Sequence, residues 1–377
     1  MVKRQSEIEN SLAAVRERRG LSASALAQMV GVSRQAIYAI EAGTYVPNTA
    51  LGLRLARALM VGVDELFSLP DDSPKVDASS VSATLISSAG KLEPGQPVQL
   101  CRVDDRLIAA PSMPMGSYLP PSDAVMADRG GAADRVRVRL HRDLNDFKSR
   151  LLLAGCDPAM DMLARHARTA GVELVLVHRN SSDSLQLLKK RLVHIAGTHL
   201  RDASTGESNV PAVTGLFMRA SVAVISFATW QEGLITAHGN PKHIHAVSDL
   251  ARKDVLFVNR EPGSGSRLLL DTYLARLKLS AKRVRGYQHL AFGHMAAAWQ
   301  VKTGAADCCL ATASAARVLG LHFVPLESAR YDLVMRKHQL DSPAVQALLN
   351  TISLSSFRRE LNGAGGYDTT VSGERVI

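Results

Sequence analysis

Residues with chemistry to offer gather in two parts of this sequence. In the first, Arg34, Gln35 and Tyr38 stand on the outward side of a short apolar-periodic run, flanked by Ser33, Thr44 and Tyr45. Guanidinium, amide and hydroxyl groups gathered on one helical face form an outward surface rich in hydrogen-bonding groups. In the second, polar groups follow the ends of apolar runs. Cys156 and Asp157 come after LLLAG, Ser181 and Ser182 precede a helical run, and Thr198 and His199 close VHIAGTH. The segment GSGSR then brings Gly263, Ser264, Gly265, Ser266 and Arg267 to the start of another helix. Its glycines let backbone N–H groups approach a ligand, its serines offer hydroxyls, and Arg267 offers a fork of donors. A helix start also favours anions, through unpaired N–H groups and the helix dipole.

Other chemistries lack their parts. GSGSR is not followed by the Gly-Lys-Ser/Thr of a nucleotide P-loop. Neither it nor GESNV forms a catalytic motif, and no nucleophile–base pair or cofactor loop is recognisable. An enzyme is therefore not expected, nor a cofactor. Cys101, Cys156, Cys308 and Cys309 contain no CxxC pair, which argues against a disulfide scaffold and an obvious zinc site. His199 and His294 are read as structural or hydrogen-bonding groups, and no metal is expected. Cys308 and Cys309 adjoin in a strand, so buried packing is expected of them.

The elements that position these groups follow from periodicity. Ile8, Leu12 and Val15 predict an amphipathic helix that ends before Gly20. Ser22 caps a second helix with Leu26, Met29 and Val30 facing inward, and Gly31 turns the chain. Ser33 caps a third helix whose buried side is Ala36, Ile37 and Ile40. Leu51, Leu55, Leu59, Val63, Leu66 and Phe67 complete a small all-α domain over residues 1–69. PDDSPKVDASS opens a linker, set at residues 70–90. Short apolar runs broken by Pro and Gly, together with the alternation RVRVRLHR, predict a small β-rich element over 91–145. From 146 to 377, continuous apolar strands alternate with helices, which predicts a largely parallel sheet covered on both faces.

Composition sets the bounds. A chain of 377 residues, 46% hydrophobic and 21% charged, holds two or three domains. No apolar run approaches the roughly 18 residues a membrane span needs, so no membrane partner and a cytoplasmic location are expected. The formal charge of +10 suits a polyanionic partner. Its distribution does not locate the contact, because residues 1–69 hold eight Lys/Arg against six Asp/Glu while Arg252–Arg285 holds nine against three.

The stretch LSASALAQMVGVSRQAIYAIEAG, residues 21–43, resembles the lambda-repressor-like, or XRE-type, helix-turn-helix family. That resemblance implies a third helix in the major groove of a double-stranded DNA operator. Arg34 and Gln35 would read bases, Tyr38 would support them, and Ser33, Thr44 and Tyr45 would contact phosphates. Ala23 stands where the family usually has a glutamine, so one phosphate contact is missing. LLLAGCDPAMDML, NSSDSLQLL, VHIAGTHLRD, NREPGSGSRLLLD and GGYDT, in that order, resemble the type 2 periplasmic-binding-protein fold, closest to its molybdate-type group. The implied architecture is two α/β lobes with a ligand between them, held by Cys156, Asp157, Ser181, Ser182, Thr198, His199 and residues 263–267. The resemblance points to an oxyanion effector. Cys156 and Asp157 stand where a hydroxyl residue would be expected, and an ionised Asp repels an anion, so a zwitterionic or partly cationic ligand stays open. Three classes of function remain: a ligand-responsive regulator, a regulator whose large domain serves only assembly, and an enzyme with a DNA-binding appendage. A homodimer or higher homo-oligomer is expected, because one small reading head covers few bases.

Overall fold

The computed structural model describes residues 8–68, 80–86, 92–112, 119–130, 134–142, 144–147, 149–202 and 204–377. The chain divides into two compact units, Met1–Ala78 and Ser79–Ile377. In the first, helices α1 (Leu12–Arg18), α2 (Ala23–Val30), α3 (Arg34–Glu41), α4 (Thr49–Leu59) and α5 (Val63–Leu66) surround Leu12, Val15, Leu26, Ile37, Ile40, Leu55 and Leu59. Ser22 caps α2 by accepting from the Ala25 N–H, and Ser33 caps α3 by accepting from the Ala36 N–H; such caps each contribute about 1 kcal/mol. Between these helices Gly31 has φ 71°, a left-handed conformation that glycine adopts without steric cost. Arg16 Nε donates to Glu41 at 2.6 Å and ties α1 to α3. Short strands β1 (Glu9–Asn10) and β2 (Phe67–Ser68) pair antiparallel and bring the ends of the unit together. Ala36, expected on the buried side of α3, is only half-buried; Ile37 and Ile40 carry that face.

The second unit begins with a closed five-stranded barrel of β3 (Ser80–Leu85), β4 (Pro97–Val103), β5 (Arg106–Pro111), β6 (Ala124–Arg129) and β7 (Arg135–Leu140). The β-rich element is thus present and starts earlier than expected. Residues 70–79 and 87–90 of the expected linker lie outside the described residues, but its middle, β3, is a barrel strand. Small residues there hid an alternating strand: Ala83 points into the barrel, and the polar Ser80 and Ser82 face outward. RVRVRL behaves as its alternation predicts, with Val136 and Val138 buried and Arg135, Arg137 and Arg139 exposed.

The α/β region is built on a sheet that runs through two lobes. The first lobe uses β8 (Arg150–Gly155), helix α6 (Met160–Thr169), β9 (Glu173–His178), α7 (Ser181–Lys189), β10 (Ile195–Thr198) and α8 (Val210–Thr214). A 15-residue strand, β11 (Val222–Thr236), then crosses into the second lobe. That lobe contains β12 (Phe257–Arg260), α9 (Gly265–Arg276), β13 (Leu290–Ala291), α10 (His294–Lys302), β14 (Cys308–Thr312) and α11 (Ala313–Leu319). Another 15-residue strand, β15 (His322–Arg336), returns antiparallel to β11, with register shifts at Ser226/Ala228 and Glu232/Gly233 where the strands pass between lobes. Helices α12 (Pro343–Ser353) and α13 (Ser355–Ala364) and strand β16 (Tyr367–Asp368) complete the first lobe. Cys308 and Cys309 sit buried on opposite faces of β14.

Barrel and first lobe share one core. Val98 and Leu100 of β4 point into the barrel, whereas Cys101 and Val103 join Leu152, Ala154, Val175 and Val177 of the lobe. Under this seam the buried Asp123 accepts from Arg150 Nη1 at 2.5 Å and from the Leu100 N–H at 2.8 Å. The β-rich element is therefore fixed to the first lobe.

Candidate functional site

Two sites emerge. On the first unit, α3 buries Ile37 and Ile40 and leaves Arg34, Gln35 and Tyr38 exposed, with Thr44 and Tyr45 exposed just beyond its end. Arg34 Nη2 donates to Tyr38 Oη at 2.9 Å, and the guanidinium lies 5.2 Å from the ring centroid. Tyr38 thereby holds Arg34 in a defined pose on the outward face. Ser33 spends its acceptor on the helix cap, at 3.1 Å from the Ala36 N–H, so only its hydroxyl proton is available to a phosphate.

The second site lies between the lobes. The turns after β8 and β10 and the start of α7 converge from one lobe, and the turn before α9 and the start of α10 from the other. Cys156 Sγ lies 3.7 Å from His199 Nδ1 and 3.9 Å from His294 Nε2. Ser181 Oγ accepts from the His199 backbone N–H at 3.1 Å and sits 3.1 Å from His199 Nδ1. Trp230, on β11, packs edge-on against both rings, with centroids 4.9 Å from His199 and 5.2 Å from His294. Glu232 accepts from Ser266 Oγ at 2.5 Å, and its Oε1 lies 3.7 Å from His199 Nε2, too long for a hydrogen bond. Asp157 Oδ1 accepts from the Ala159 N–H and from Tyr367 Oη, both at 2.7 Å.

Close approach of the lobes depends on small residues. The Ser182 N–H donates to the Gly263 carbonyl at 3.2 Å, one backbone meeting the other. A Cβ on Gly265 would stand 2.3 Å from the His199 carbonyl oxygen, inside any permitted contact.

Burial governs the electrostatics. It pushes Asp157 and Glu232 up to about 7 and Cys156 up to about 12, because a charged form loses its hydration. It pulls His199 down to about 3 and His294 well below its usual value, with Arg260 adding to both shifts. Burial also opposes the charge of Arg260, but its hydrogen bonds to Glu261 and the neighbouring acids outweigh that and raise its pKa. Of the buried polar atoms without a hydrogen-bond partner among the described residues, six belong to residues around the cleft: Asp157 Oδ2, Thr198 Oγ1, His199 Nε2, Trp230 Nε1, Arg260 Nη1 and His294 Nδ1. Each such atom costs about 1–3 kcal/mol when left unsatisfied.

The fold thus brings Cys156, Asp157, Ser181, Ser182, Thr198, His199 and residues 263–266 together. Arg267 is different: it pairs with Asp271 at 3.1 Å and lies 4.0 Å over the Tyr287 ring centroid. The guanidinium beside the cluster belongs to Arg260, whose Nε and Nη2 donate to Glu261 at 2.8 and 2.9 Å. Sequence reasoning passed over Arg260, Trp230 and Glu232. The available signals were charged residues closing or interrupting apolar strands, as in LFVNRE and ATWQEGLIT. His199 and His294, expected to be structural or hydrogen-bonding groups, both face Cys156.

Comparison with known proteins agrees with this architecture. The family described as PBP superfamily domain matches residues 163–353, just over half of the 377-residue chain. A helix-turn-helix family matches residues 12–66. The Bacillus subtilis (strain 168) protein YvgK is 33% identical over 234 residues, spanning 62% of this chain and 75% of YvgK. The HTH-type transcriptional regulator YgzD of the same organism is 35% identical over 66 residues, 18% of this chain and all of YgzD. Among solved structures, the sulfate-binding protein SubI of Mycobacterium tuberculosis H37Rv aligns over 58% of this chain and 86% of its own, at 16% identity and a TM-score of 0.46. The chain belongs to the PBP superfamily. It joins a domain of that family to an XRE-type helix-turn-helix of the kind found in DNA-binding transcriptional regulators. No helix among the described residues is long and apolar enough to cross a membrane.

Proposed function

We propose that this protein is a transcriptional regulator whose hold on a DNA operator is set by a small ligand enclosed between the two lobes. The observation that carries the reading is the set of six unpartnered buried polar atoms, contributed from both sides of the cleft. Burying such groups without partners destabilises a fold, so their convergence suits a guest that satisfies them and favours the closed form. A domain used only for assembly has no need of that arrangement. Arg267 is engaged by Asp271 and Tyr287, so the guanidinium that an anionic guest would meet is that of Arg260, whose Nη1 has no partner.

On the DNA side, Arg34 and Gln35 read base edges and Thr44 and Tyr45 contact phosphates. The working unit is a homodimer on a two-fold related site, with half-sites about 34–36 Å apart or a multiple of that. Lobe closure alters contacts between copies of the larger unit and so resets the spacing of the reading heads.

The test is to select an operator from randomised DNA with the full chain and then screen metal ions, oxyanions and amino acids for a rise in melting temperature. Expected are a two-fold related consensus and at least one compound that both stabilises the protein and changes operator affinity. A stabilising compound without effect on operator affinity would favour the assembly-only reading.

A further inference from the structure

The strongest unused feature of the cleft is its size. Cys156 Sγ, His199 Nδ1 and His294 Nε2 all lie within 4.8 Å of one another and are buried. A tetrahedral zinc ion with Zn–S of about 2.3 Å and Zn–N of about 2.0 Å would put sulfur and nitrogen roughly 3.5 Å apart. The observed separations of 3.7 and 3.9 Å are close to that.

Orientation agrees with size. The Ser181 hydroxyl oxygen accepts the His199 backbone N–H, and its proton can donate to His199 Nδ1 when that nitrogen carries none. In that tautomer the Nδ1 lone pair faces the side shared by Ser181 and Cys156, and Nε2 lies 3.7 Å from Glu232. Charge agrees as well. The almost fully buried charged side chains around the three ligand atoms are Asp157, Glu232, Glu261 and Arg260, three carboxyls against one guanidinium already held by Glu261.

We infer that the cleft binds a single borderline d-block cation of the zinc class through Cys156, His199 Nδ1 and His294 Nε2, with one coordination position left open. This inference rests on the ligand-responsive reading; the cation itself meets none of the six unpartnered atoms, so a guest at its open coordination position is left to satisfy them. Thiolate and imidazole together select such ions over magnesium or calcium. Binding releases the Cys156 proton to solvent and gives His199 Nδ1 a partner other than Ser181.

The experiment uses the full chain stripped with a chelator and then titrated with Zn2+ against a chromophoric competitor, and separately with Co2+ followed by absorption. Wild type is expected to bind one equivalent of Zn2+, to melt at a higher temperature when loaded, and to show a thiolate-to-Co2+ charge-transfer band. Cys156→Ser should lose the band, and both it and His294→Gln should lose at least about tenfold in Zn2+ affinity while melting like wild type without metal. Wild type that takes up no Zn2+, or variants that bind it equally well, would overturn the site. Operator titrations separate this inference from the regulatory reading. Stoichiometric Zn2+ binding with unchanged operator affinity keeps the site and removes the regulation. Stabilisation and altered operator affinity by molybdate or sulfate, with no Zn2+ uptake, overturns the site and keeps the regulation.

Discussion

Ser182 and Gly263 meet backbone to backbone across the cleft, the Ser182 N–H donating to the Gly263 carbonyl at 3.2 Å. This contact joins the start of α7 in one lobe to the turn before α9 in the other. Beside it Asn180 Nδ2 donates to the Pro262 carbonyl at 3.3 Å, so backbone and one short side chain together join the lobes.

Closure of that kind is sensitive to a single carbon atom. Gly265→Ala places a Cβ 2.3 Å from the His199 carbonyl oxygen, so the lobes must stand apart. A compound that raises the melting temperature of wild type should lose that effect on the variant, while operator affinity without the compound stays within about twofold, a few tenths of a kcal/mol. Thermal melts and operator titrations on the same preparations check this, and an undiminished ligand shift contradicts it.

The seam between barrel and first lobe makes a second prediction. Asp123 and Arg150 are both buried and paired at 2.5 Å. Asp123→Ala leaves the guanidinium buried and should destabilise the larger unit by about 3–5 kcal/mol. Replacing both by apolar residues of similar volume should recover most of that loss. Chemical denaturation followed by Trp230 and Trp299 fluorescence measures it; equal losses in the single and double variants would contradict the account.

Sequence and structure part company in instructive places. The first unit was legible because its caps and turns are local: Ser22, Ser33 and Gly31 each act within three or four residues of their own position. The alternation of strands and helices after residue 150 was legible for the same reason. Strand β3 was not, because SVSATL has too little apolar mass to stand out beside a Pro- and Ser-rich stretch. In the cleft, Cys156, Ser181, Thr198 and His199 were found from their places after strands and at helix starts. Arg267 was named and Arg260 passed over, because the sequence does not say which guanidinium turns toward Tyr287 and which toward Glu261. Trp230 and Glu232 were missed because they lie inside a long strand, where an interlobe crossing cannot be told from a buried core.

His194 carries a pH prediction. Its Nδ1 accepts the Leu152 N–H at 3.0 Å, and burial holds its pKa at about 4. In the unfolded chain the value returns to about 6.5. The unfolded state therefore binds more protons between those limits, and the stability present above about pH 6.5 is lost as pH falls toward 4. His194→Asn, which keeps an acceptor without a titrating group, should flatten that slope by up to about 3 kcal/mol across the window. Denaturation midpoints of wild type and variant at several pH values give the difference, and parallel curves would refute it.

On the reading helix, Arg34→Ala and Gln35→Ala should each weaken binding to the selected operator by about 1–3 kcal/mol and relax preference at the base each one contacts. Tyr38→Phe removes the hydroxyl that accepts from Arg34 at 2.9 Å and should weaken binding less. Footprints with wild-type affinity and sequence preference in both alanine variants would displace α3 as the reading element.

The central claim is that cleft and reading helix are coupled, and a fluorescence-anisotropy titration of the selected operator with the full chain tests it most directly. The titration is run without and with a saturating concentration of the compound that most raises the melting temperature. The account predicts a change in operator affinity of about 5- to 150-fold, matched by an equal change in affinity for that compound when operator is present. Identical operator affinity in the two titrations, with the compound demonstrably bound, would contradict it.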